Sequence, residues 1–165
     1  RREPRSRPLA QLSEDQLAPL RNGLTGFVFQ AFHLIPSLNA LENVMFPAEL
    51  KKDPQARQKA ESLLDRVGLL PRRHNFPEQL SGGEQQRVAI CRALINGPEI
   101  VFADEPTGNL DSGNSEGIIK LLLDLHDTHQ TTLVMATHSQ ALAARADRII
   151  RLHDGRIEGV GVAAL

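Results

Sequence analysis

Three short apolar runs along the chain have the length and residue types of buried β-strands. They cover residues 25–30, 100–105 and 131–136, and the last is rich in β-branched side chains. Between these runs, apolar positions recur at the spacing of an α-helix packed on a sheet. The clearest helical run is Ile118, Ile119, Leu121, Leu122 and Leu125. Strands that alternate with helices predict an α/β fold.

Capping signals predict where several helices begin and end. A side-chain acceptor followed three residues later by Glu or Gln forms a capping box, and a glycine or a proline closes the helix. The expected capping boxes begin at Ser13, Asn39 and Ser81. Asp53, which precedes a proline, and Ser139 are expected caps without a box. The expected ends or breaks are Gly23, Pro47, Gly68 and Gly97. Residues 31–96 are therefore expected to be mostly helical and to lie between two strands.

The two ends of the chain carry weaker signals. Residues 1–8 contain four arginines among prolines, which is typical of a solvated end, with nucleic-acid contact as the alternative. Asp154-Gly155 lies between two apolar runs and predicts a β-hairpin turn. Residues 158–165 show no informative pattern and are expected to form a tail. Because the sequence begins with Arg1 rather than Met, we expect its true N-terminus to lie upstream.

Composition limits the classes of protein that the chain can represent. Its 165 residues suggest one domain, with 41% hydrophobic and 24% charged residues as in an ordinary globular protein. The formal net charge of −1 gives no global attraction to nucleic acid or acidic lipid. The single cysteine, Cys91, excludes an internal disulfide and fits a reducing compartment. No apolar run approaches the roughly 18 residues of a membrane helix, so we expect any membrane role to depend on a partner.

The stretch from Leu80 to Asp111 carries the strongest candidate chemistry. Ser81 can cap a helix whose first turn, Gly82-Gly83, has no side chains to cover its backbone N–H groups. Such a helix N-terminus is a binding site for an anion such as phosphate. The strand at 100–105 ends in Asp104-Glu105, and ligands bind at the carboxyl ends of strands in open α/β sheets. Each piece alone is typical of a solvated loop or strand end, but their joint spacing favours a phosphate site.

The sequences LSGGEQQ at residues 80–86 and FADEPTGNLD at residues 102–111 resemble the nucleotide-binding subunits of ATP-binding cassette (ABC) transporters. The second sequence is similar to a bacterial branch that includes the lipoprotein-releasing and macrolide-export ATPases. The resemblance runs from about Leu9 to about Ile157. It implies an incomplete α/β core sheet of the P-loop NTPase type with an inserted helical subdomain. The implied parts are a core of residues 1–30 and 97–157, a helical subdomain of residues 31–96 that ends in the LSGGEQQ helix, and a tail of residues 158–165.

The resemblance also implies roles for individual residues. Glu105 would be the general base that orients and polarises the attacking water, and Asp104 would hold Mg²⁺. Gln30 would approach both the metal and that water, and His138 would contact the γ-phosphate of ATP. Further nucleotide contacts are expected from the LSGGE helix and from the segment after the Asp-Glu pair. These residues are Ser81, Gly82, Gly83, Glu84, Asn109 and Asp111. The implied cofactors are thus ATP and Mg²⁺.

Two protein partners are implied as well. In this family two ATP-binding subunits pair head to tail, so that the LSGGE helix of one subunit faces the nucleotide bound to the other. A transmembrane permease subunit is the second partner, and Phe32, Leu34 and Ile35 are candidates for the groove that receives it, with ordinary core packing as the equal alternative. The protein is then expected in the cytoplasm, at the inner face of the cell membrane. No nucleic-acid partner is implied.

The phosphate cradle of the family, G-x-x-x-x-G-K-[ST], has no match in this sequence. No glycine is followed by lysine, and the chain has no Tyr or Trp to stack on adenine. We therefore expect ATPase activity for the complete domain but not for this chain, which would lack the N-terminal part of the core. One alternative is a catalytically dead remnant, or a non-enzymatic partner that lends its LSGGE helix to another subunit. Another is an ABC ATPase of DNA repair or chromosome organisation, which the absence of sustained heptads between Gln30 and Ser81 disfavours.

Overall fold

Three parallel strands and the helices that connect them form the main body of the protein. The computed structural model describes residues 12–110, 112–129 and 131–162. The sheet has the order β1 (Thr25–Phe29), β2 (Ile100–Asp104) and β3 (Thr132–Ala136), which confirms the predicted α/β class. The helices are α1 (Glu14–Leu24), α2 (Ala40–Leu50), α3 (Ala56–Arg66), α4 (Gly82–Leu94), α5 (Ser112–His129) and α6 (Gln140–Ala143). Within these described residues, no helix is long and apolar enough to span a bilayer.

A two-stranded antiparallel hairpin follows α6. Its strands are β4 (Arg148–His153) and β5 (Arg156–Val162). Asp154 and Gly155 form the turn with φ angles of 46° and 71°, the positive values that a two-residue hairpin turn requires, so the predicted turn is confirmed. β5 stays paired with β4 as far as Val162. Residues 158–162 therefore belong to a strand and not to the tail expected from the sequence, because residues 159–162 pair with β4.

The two faces of the parallel sheet have different surroundings. Val28, Val101 and Ala103 point to one face, where they pack with Ile90 of α4 and Ile118 of α5 in a buried cluster. Because successive residues of a strand point to opposite faces, their neighbours face the other way. That second face is apolar but open. It is formed by Phe27, Phe29, Phe102 and Val134, each between 37% and 46% exposed.

The helices between β1 and β2 bury a second apolar cluster. Its large side chains are Leu41, Val44, Leu64, Val88 and Ile95. Cys91 of α4 lies in the same cluster, where its Sγ is 3.5 Å from the carbonyl oxygen of Leu63. Burial raises the pKa of the Cys91 thiol to about 12, so the thiol stays protonated at neutral pH. The predicted division of the chain into a core and a helical subdomain is compatible with this second cluster, but its boundaries stay a prediction.

Capping boxes at Asn39 and Ser81 start α2 and α4, as predicted. The Asn39 Oδ1 accepts the N–H of Glu42 at 3.0 Å, and the Glu42 carboxylate accepts the N–H of Asn39 at 2.9 Å. Ser81 and Glu84 form the same reciprocal pair at 3.3 and 2.8 Å. Each box satisfies donors that the first turn of a helix leaves unpaired.

Two helix boundaries differ from the prediction. α1 runs through Gly23 to Leu24, because Gly23 does not adopt the positive φ of a glycine that ends a helix. α3 begins at Ala56 rather than directly after Asp53. There, the Asp53 carboxylate accepts the N–H of Gln55 at 2.9 Å and forms a separate turn ahead of the helix.

The prediction that Pro47 disturbs α2 is wrong, because the helix continues through the proline to Leu50. The Pro47 carbonyl accepts hydrogen bonds from the side-chain amides of Asn22, at 3.5 Å, and Asn96, at 3.3 Å. The next residue, Ala48, is fully buried in the helical cluster. Tertiary contacts at the proline carbonyl and at Ala48 therefore hold the last turn in place and override the local preference of the proline.

Asn43 connects α2 to the loop that follows β1. Its side chain is 0% exposed. Its Oδ1 accepts the N–H of Ile35 at 2.8 Å, and its Nδ2 donates to the carbonyls of Ile35 and Leu38 at 3.1 and 2.8 Å. These bonds replace water for backbone groups that have no regular secondary structure. One buried amide thus fixes where this loop lies on the helical cluster.

We expect Asn43→Ala to lower the free energy of unfolding by about 1–3 kcal/mol for each buried backbone group that it leaves unpaired. Urea denaturation followed by circular dichroism measures the loss. Gln58→Ala, at an exposed position of α3, is the matched control and should change stability by less than about 0.5 kcal/mol. A loss in Asn43→Ala no larger than that of the control would show that the loop does not depend on this amide.

Candidate functional site

The parallel register brings three strand ends together at one edge of the sheet. Phe29, Asp104 and Ala136 are paired across β1, β2 and β3, so the residues that follow them emerge side by side. The following residues are Gln30, Glu105, Thr137 and His138. The predicted catalytic residues and the predicted metal ligand Asp104 therefore share one edge, although their roles stay predictions.

The Glu105 carboxylate is held by the turn after β3. Its Oε1 accepts the N–H of His138 at 2.6 Å, and its Oε2 accepts the hydroxyl of Thr137 at 3.2 Å. The side chain is 20% exposed, so it is oriented by the protein and still reachable from solvent. Glu105 also has a φ of 41°, a left-handed conformation that is uncommon for a residue other than glycine. Such conformations persist where surrounding contacts impose them, and they cluster at functional sites.

The His138 imidazole lies beside this carboxylate but faces solvent. The side chain is 100% exposed, and its Nε2 is 3.8 Å from the Glu105 Oε1, too far for a hydrogen bond. The imidazole is therefore not committed to Glu105. It can act on a ligand at this edge of the sheet.

Gln30 is fixed by the segment that follows Glu105. Its Nε2 donates to the Asn109 Oδ1 at 3.2 Å, and the Asn109 Nδ2 donates to the Gln30 backbone carbonyl at 2.9 Å. Gly108 passes so close that a Cβ there would lie 2.7 Å from the Gln30 Nε2. The amide nitrogen is a donor only, so the Gln30 Oε1 is the atom that can accept a hydrogen bond or bind a metal ion.

The oxygen atoms at this edge of the sheet fit Mg²⁺ better than they fit a metal ion that is coordinated only by protein side chains. Across residues 12–110, 112–129 and 131–162, no three His, Cys, Asp or Glu side chains lie close enough together to hold a metal ion. Asp104 and the Gln30 Oε1 offer two oxygen ligands on neighbouring strand ends. Mg²⁺ usually keeps several waters and binds through one or two protein ligands plus phosphate oxygens. The residues present therefore fit that ion together with a phosphate ligand.

The N-terminus of α4 also packs against the segment that follows Glu105. A Cβ built on Gly82 would be 3.6 Å from the Leu110 Cδ2 and 3.8 Å from the Phe32 ring, so the helix start is packed closely there. Gly83 is buried, whereas Ser81 is exposed. The predicted anion site corresponds to this capped helix start, and its binding of an anion stays a prediction.

Glu84 is already bonded within its own helix. The pKa of its carboxyl is lowered mainly because the Ser81 N–H donates to it, with Arg72 adding a weaker attraction from 3.8 Å. The nucleotide contact predicted for Glu84 would compete with this cap. Asp111, the other predicted contact with a carboxylate, lies outside the described residues.

Two side chains at this edge carry no prediction from the sequence. The buried Gln86 amide of α4 donates to the carbonyl of Pro106 at 2.8 Å, directly after Glu105. Its spacing from the buried Gly83 and Ile90 puts it on the inner face of the helix, so the helical period marks it as a buried amide. No local pattern marks Thr137, because its contact with Glu105 depends on the pairing of β2 with β3.

Arg92 of α4 holds the loop that continues from Gln30. Its guanidinium donates to the carbonyls of His33 and Phe32 at 2.5 and 2.8 Å. His33 and Phe32 have positive φ angles of 48° and 60°, which residues other than glycine rarely adopt. The strained loop is therefore stabilised by a charged donor from the helical cluster.

The arrangement of these features along three parallel strands, with a helical cluster after the first, defines an ATP-binding cassette fold. The family model described as ABC transporter matches residues 7–108. The chain belongs to the ABC transporter family.

Relatives in several bacteria are similar over nearly the whole chain. The uncharacterized ABC transporter ATP-binding protein YbbA of Escherichia coli K12 is 51% identical over 153 residues, 92% of this chain and 67% of YbbA. The lipoprotein-releasing system ATP-binding protein LolD of Syntrophotalea carbinolica is 52% identical over 145 residues, 87% of this chain and 64% of LolD. The macrolide export ATP-binding/permease protein MacB of Sodalis glossinidius is 50% identical over 155 residues, 93% of this chain but 24% of MacB.

Solved structures give the same picture of the fold. The ATP-binding cassette MJ0796, in a dimeric post-hydrolysis state bound to ADP and Pi, superposes with a TM-score of 0.84 at 42% identity. The superposition covers 93% of this chain and 69% of that one. The similarity confirms the predicted cassette fold.

We expect Gly108→Ala to displace the Gln30 amide, because the new Cβ would lie 2.7 Å from Nε2. The side-chain NH₂ signals of Gln30 and Asn109 in NMR spectra should move towards those of solvated amides. Gly117→Ala on α5 is the control, since a Cβ there meets nothing within 4 Å and alanine favours a helix by about 1 kcal/mol. Unmoved Gln30 and Asn109 signals in Gly108→Ala would contradict the contact.

Proposed function

We propose that this chain is the ATP-binding and ATP-hydrolysing part of an ABC transporter subunit. The observation that supports this best is the Glu105 carboxylate, which the His138 N–H holds at 2.6 Å at the end of the central strand. Gln30 and Asp104 share its edge of the sheet. Membership of the ABC transporter family agrees with this chemistry.

Glu105 acts as the general base in this proposal. Each of its oxygens accepts one hydrogen bond from the turn after β3, and each keeps a lone pair for a water molecule. A water bound there passes a proton to the carboxylate as its oxygen attacks the γ-phosphorus of ATP, while the bond from that phosphorus to the β–γ bridging oxygen breaks and ADP leaves. General-base assistance of this kind contributes roughly 10²–10⁴-fold to the rate.

The other strand-end residues hold the phosphates and their charge. Asp104 and the Gln30 Oε1 are the groups that would bind Mg²⁺, which neutralises phosphate charge when it is present. The exposed His138 imidazole donates a hydrogen bond to a γ-phosphate oxygen. Gln30 also connects this edge of the sheet to the loop at 31–38. Hydrogen bonds from Arg92 and Asn43 hold that loop on the helical cluster.

A second ATP-binding subunit completes the site. The capped start of α4, with exposed Ser81 and buried Gly83, binds the nucleotide of that second subunit through its N–H groups and its positive end. Asn109 lies at the seam between the subunits in this proposal. The dimeric state of MJ0796 with ADP and Pi supports this arrangement.

A membrane permease is the second partner, and the chain sits at the cytoplasmic face of the membrane. The names of LolD and MacB, for lipoprotein release and macrolide export, support export or extraction of a substrate. Phe32 and Ile35 are partly buried and are candidates for the permease contact. Leu34 packs against the helical cluster, which makes it the least available of the three residues named from the sequence.

The chain by itself does not supply a complete phosphate cradle. Its sequence has no Gly-Lys pair, and the lysine and consecutive N–H groups of that loop provide most of the phosphate affinity in this class. A second candidate function follows: the chain lends its LSGGE helix to a complete subunit. The Ser81 cap supports this alternative as well, since it depends only on residues within one helical turn.

Turnover in a chimera tests the role of Glu105. The chimera joins the segment of the LolD relative that precedes its match with this chain to residues 9–165. Glu105→Gln should keep ATP binding and lower turnover by roughly 100-fold or more, because the amide cannot take a proton from water. A steady-state phosphate-release assay measures this change.

The matched control is Glu99→Gln, the same substitution at an exposed position just before the opposite end of β2. Its turnover should stay within about twofold of the parent, since surface substitutions rarely perturb a fold. Parental turnover in Glu105→Gln would remove Glu105 from the mechanism. Loss of ATP binding in that variant would also contradict the proposal.

The chain of residues 1–165 should not hydrolyse ATP and should bind it more weakly than micromolar. One helix N-terminus contributes only about 0.3–2 kcal/mol to anion binding. Micromolar affinity requires about 8 kcal/mol. Calorimetry with Mg-ATP and a phosphate-release assay on the purified chain measure both quantities. Micromolar affinity, or turnover that Glu105→Gln abolishes, would show that a phosphate cradle is present elsewhere in the chain.

A further inference from the structure

The Thr137 hydroxyl lies between two groups at the end of β3 and bonds to both. Its Oγ1 is 3.2 Å from the Glu105 Oε2 and 3.1 Å from the backbone nitrogen of Ser139. The Thr137 side chain is partly buried. Among residues 136–138, only this side chain lies within hydrogen-bond distance of the Glu105 carboxylate. The Thr137 hydroxyl therefore bridges the Glu105 carboxylate and the backbone of the turn after β3.

The direction of the Thr137–Glu105 hydrogen bond follows from the chemistry of these partners. A backbone N–H can only donate, so the Thr137 oxygen is the acceptor for Ser139. An ionised carboxylate can only accept, so the single hydroxyl proton points at the Glu105 Oε2. Together with the His138 N–H on Oε1, this gives each carboxylate oxygen its own donor and fixes the plane of the carboxylate.

Glu105 needs such support because its backbone does not continue the strand. Its φ of 41° directs the side chain away from regular β geometry. Its own N–H donates to the carbonyl of Ala136 at 2.9 Å, and the contacts with Thr137 and His138 follow in order along β3 and its turn. Two of the three contacts use backbone atoms, the Ala136 carbonyl at the end of β3 and the His138 N–H in the turn. The Thr137 hydroxyl is the one that a substitution can remove while the backbone stays the same.

We infer that Thr137 is a positioning residue for the general base. Its hydroxyl holds the Glu105 carboxylate in the orientation in which a remaining lone pair meets the attacking water. Thr137 acts through Glu105 and does not touch the nucleotide, so it governs the rate of the chemical step and not the affinity for ATP. The inference rests on the proposed role of Glu105 as the base.

The test uses three substitutions in the active chimera described above. Thr137→Val keeps the shape of the side chain and removes the hydroxyl, whereas Thr137→Ser keeps the hydroxyl. Thr132→Val makes the same change at the exposed first residue of β3 and is the matched control. Thr137→Val should lower kcat about tenfold or more with KM for ATP within about twofold. Thr137→Ser and Thr132→Val should retain parental kcat within about twofold.

A double substitution separates positioning from general structural support. If the hydroxyl acts through the carboxylate, Thr137→Val should not lower the residual turnover of Glu105→Gln any further. An additional tenfold loss in the double variant would overturn the inference, because Thr137 would then act independently of the base. Should Thr137→Val fail to fold, as seen by circular dichroism, Thr137→Ala, which has no side-chain donor, takes its place with the same expected loss.

The remaining outcomes also decide. Parental kcat in Thr137→Val would overturn the inference, as would equal losses in Thr137→Val and Thr137→Ser, which would assign the effect to packing of the methyl group. A raised KM with unchanged kcat would make Thr137 a binding residue instead. If Glu105→Gln remains active, the proposed function fails. If Glu105→Gln is inactive while Thr137→Val is fully active, only the inference about Thr137 fails.

Discussion

In-register hydrogen bonding among three parallel strands is the constraint on which both the core and the site depend. A slip of β2 by one residue would turn Val101 and Ala103 to the open face of the sheet. The same slip would move Glu105 away from Thr137 and His138. The apolar side chains under the sheet oppose that slip, so packing on one face determines where the polar groups meet at the edge.

Signals confined to a few neighbouring residues could be recognised in the sequence because they do not need the rest of the chain. The capping box at Ser81 and the turn at Asp154-Gly155 both form from groups within three positions of each other. Pro47 shows where such local reasoning fails. Its effect on α2 is decided by the amides of Asn22 and Asn96, which the fold brings from elsewhere in the sequence. Propensity is overridden there by contacts that no local pattern contains.

The candidate site divides in the same way. Gln30 and Glu105 could be named because they end strand-like runs within recognisable motifs, and parallel strands place such ends together. The amide of Gln86 and the hydroxyl of Thr137 reach their partners across 20 and 32 residues of sequence. Which side chain meets which carbonyl or carboxylate at that distance is set by register and helix docking. These details depend on the three-dimensional structure, and the sequence alone leaves them open.

The burial of Cys91 makes the only thiol of the chain a natural probe of one part of the fold. An alkylating reagent needs an ionised and accessible sulfur, and Cys91 offers neither while α2, α3 and α4 stay packed. The rate of alkylation therefore measures how often this helical cluster opens. Because the sheet core carries no cysteine, alkylation reports directly on the helical cluster and not on the sheet. Motion within the cassette can thus be followed without introducing a label site.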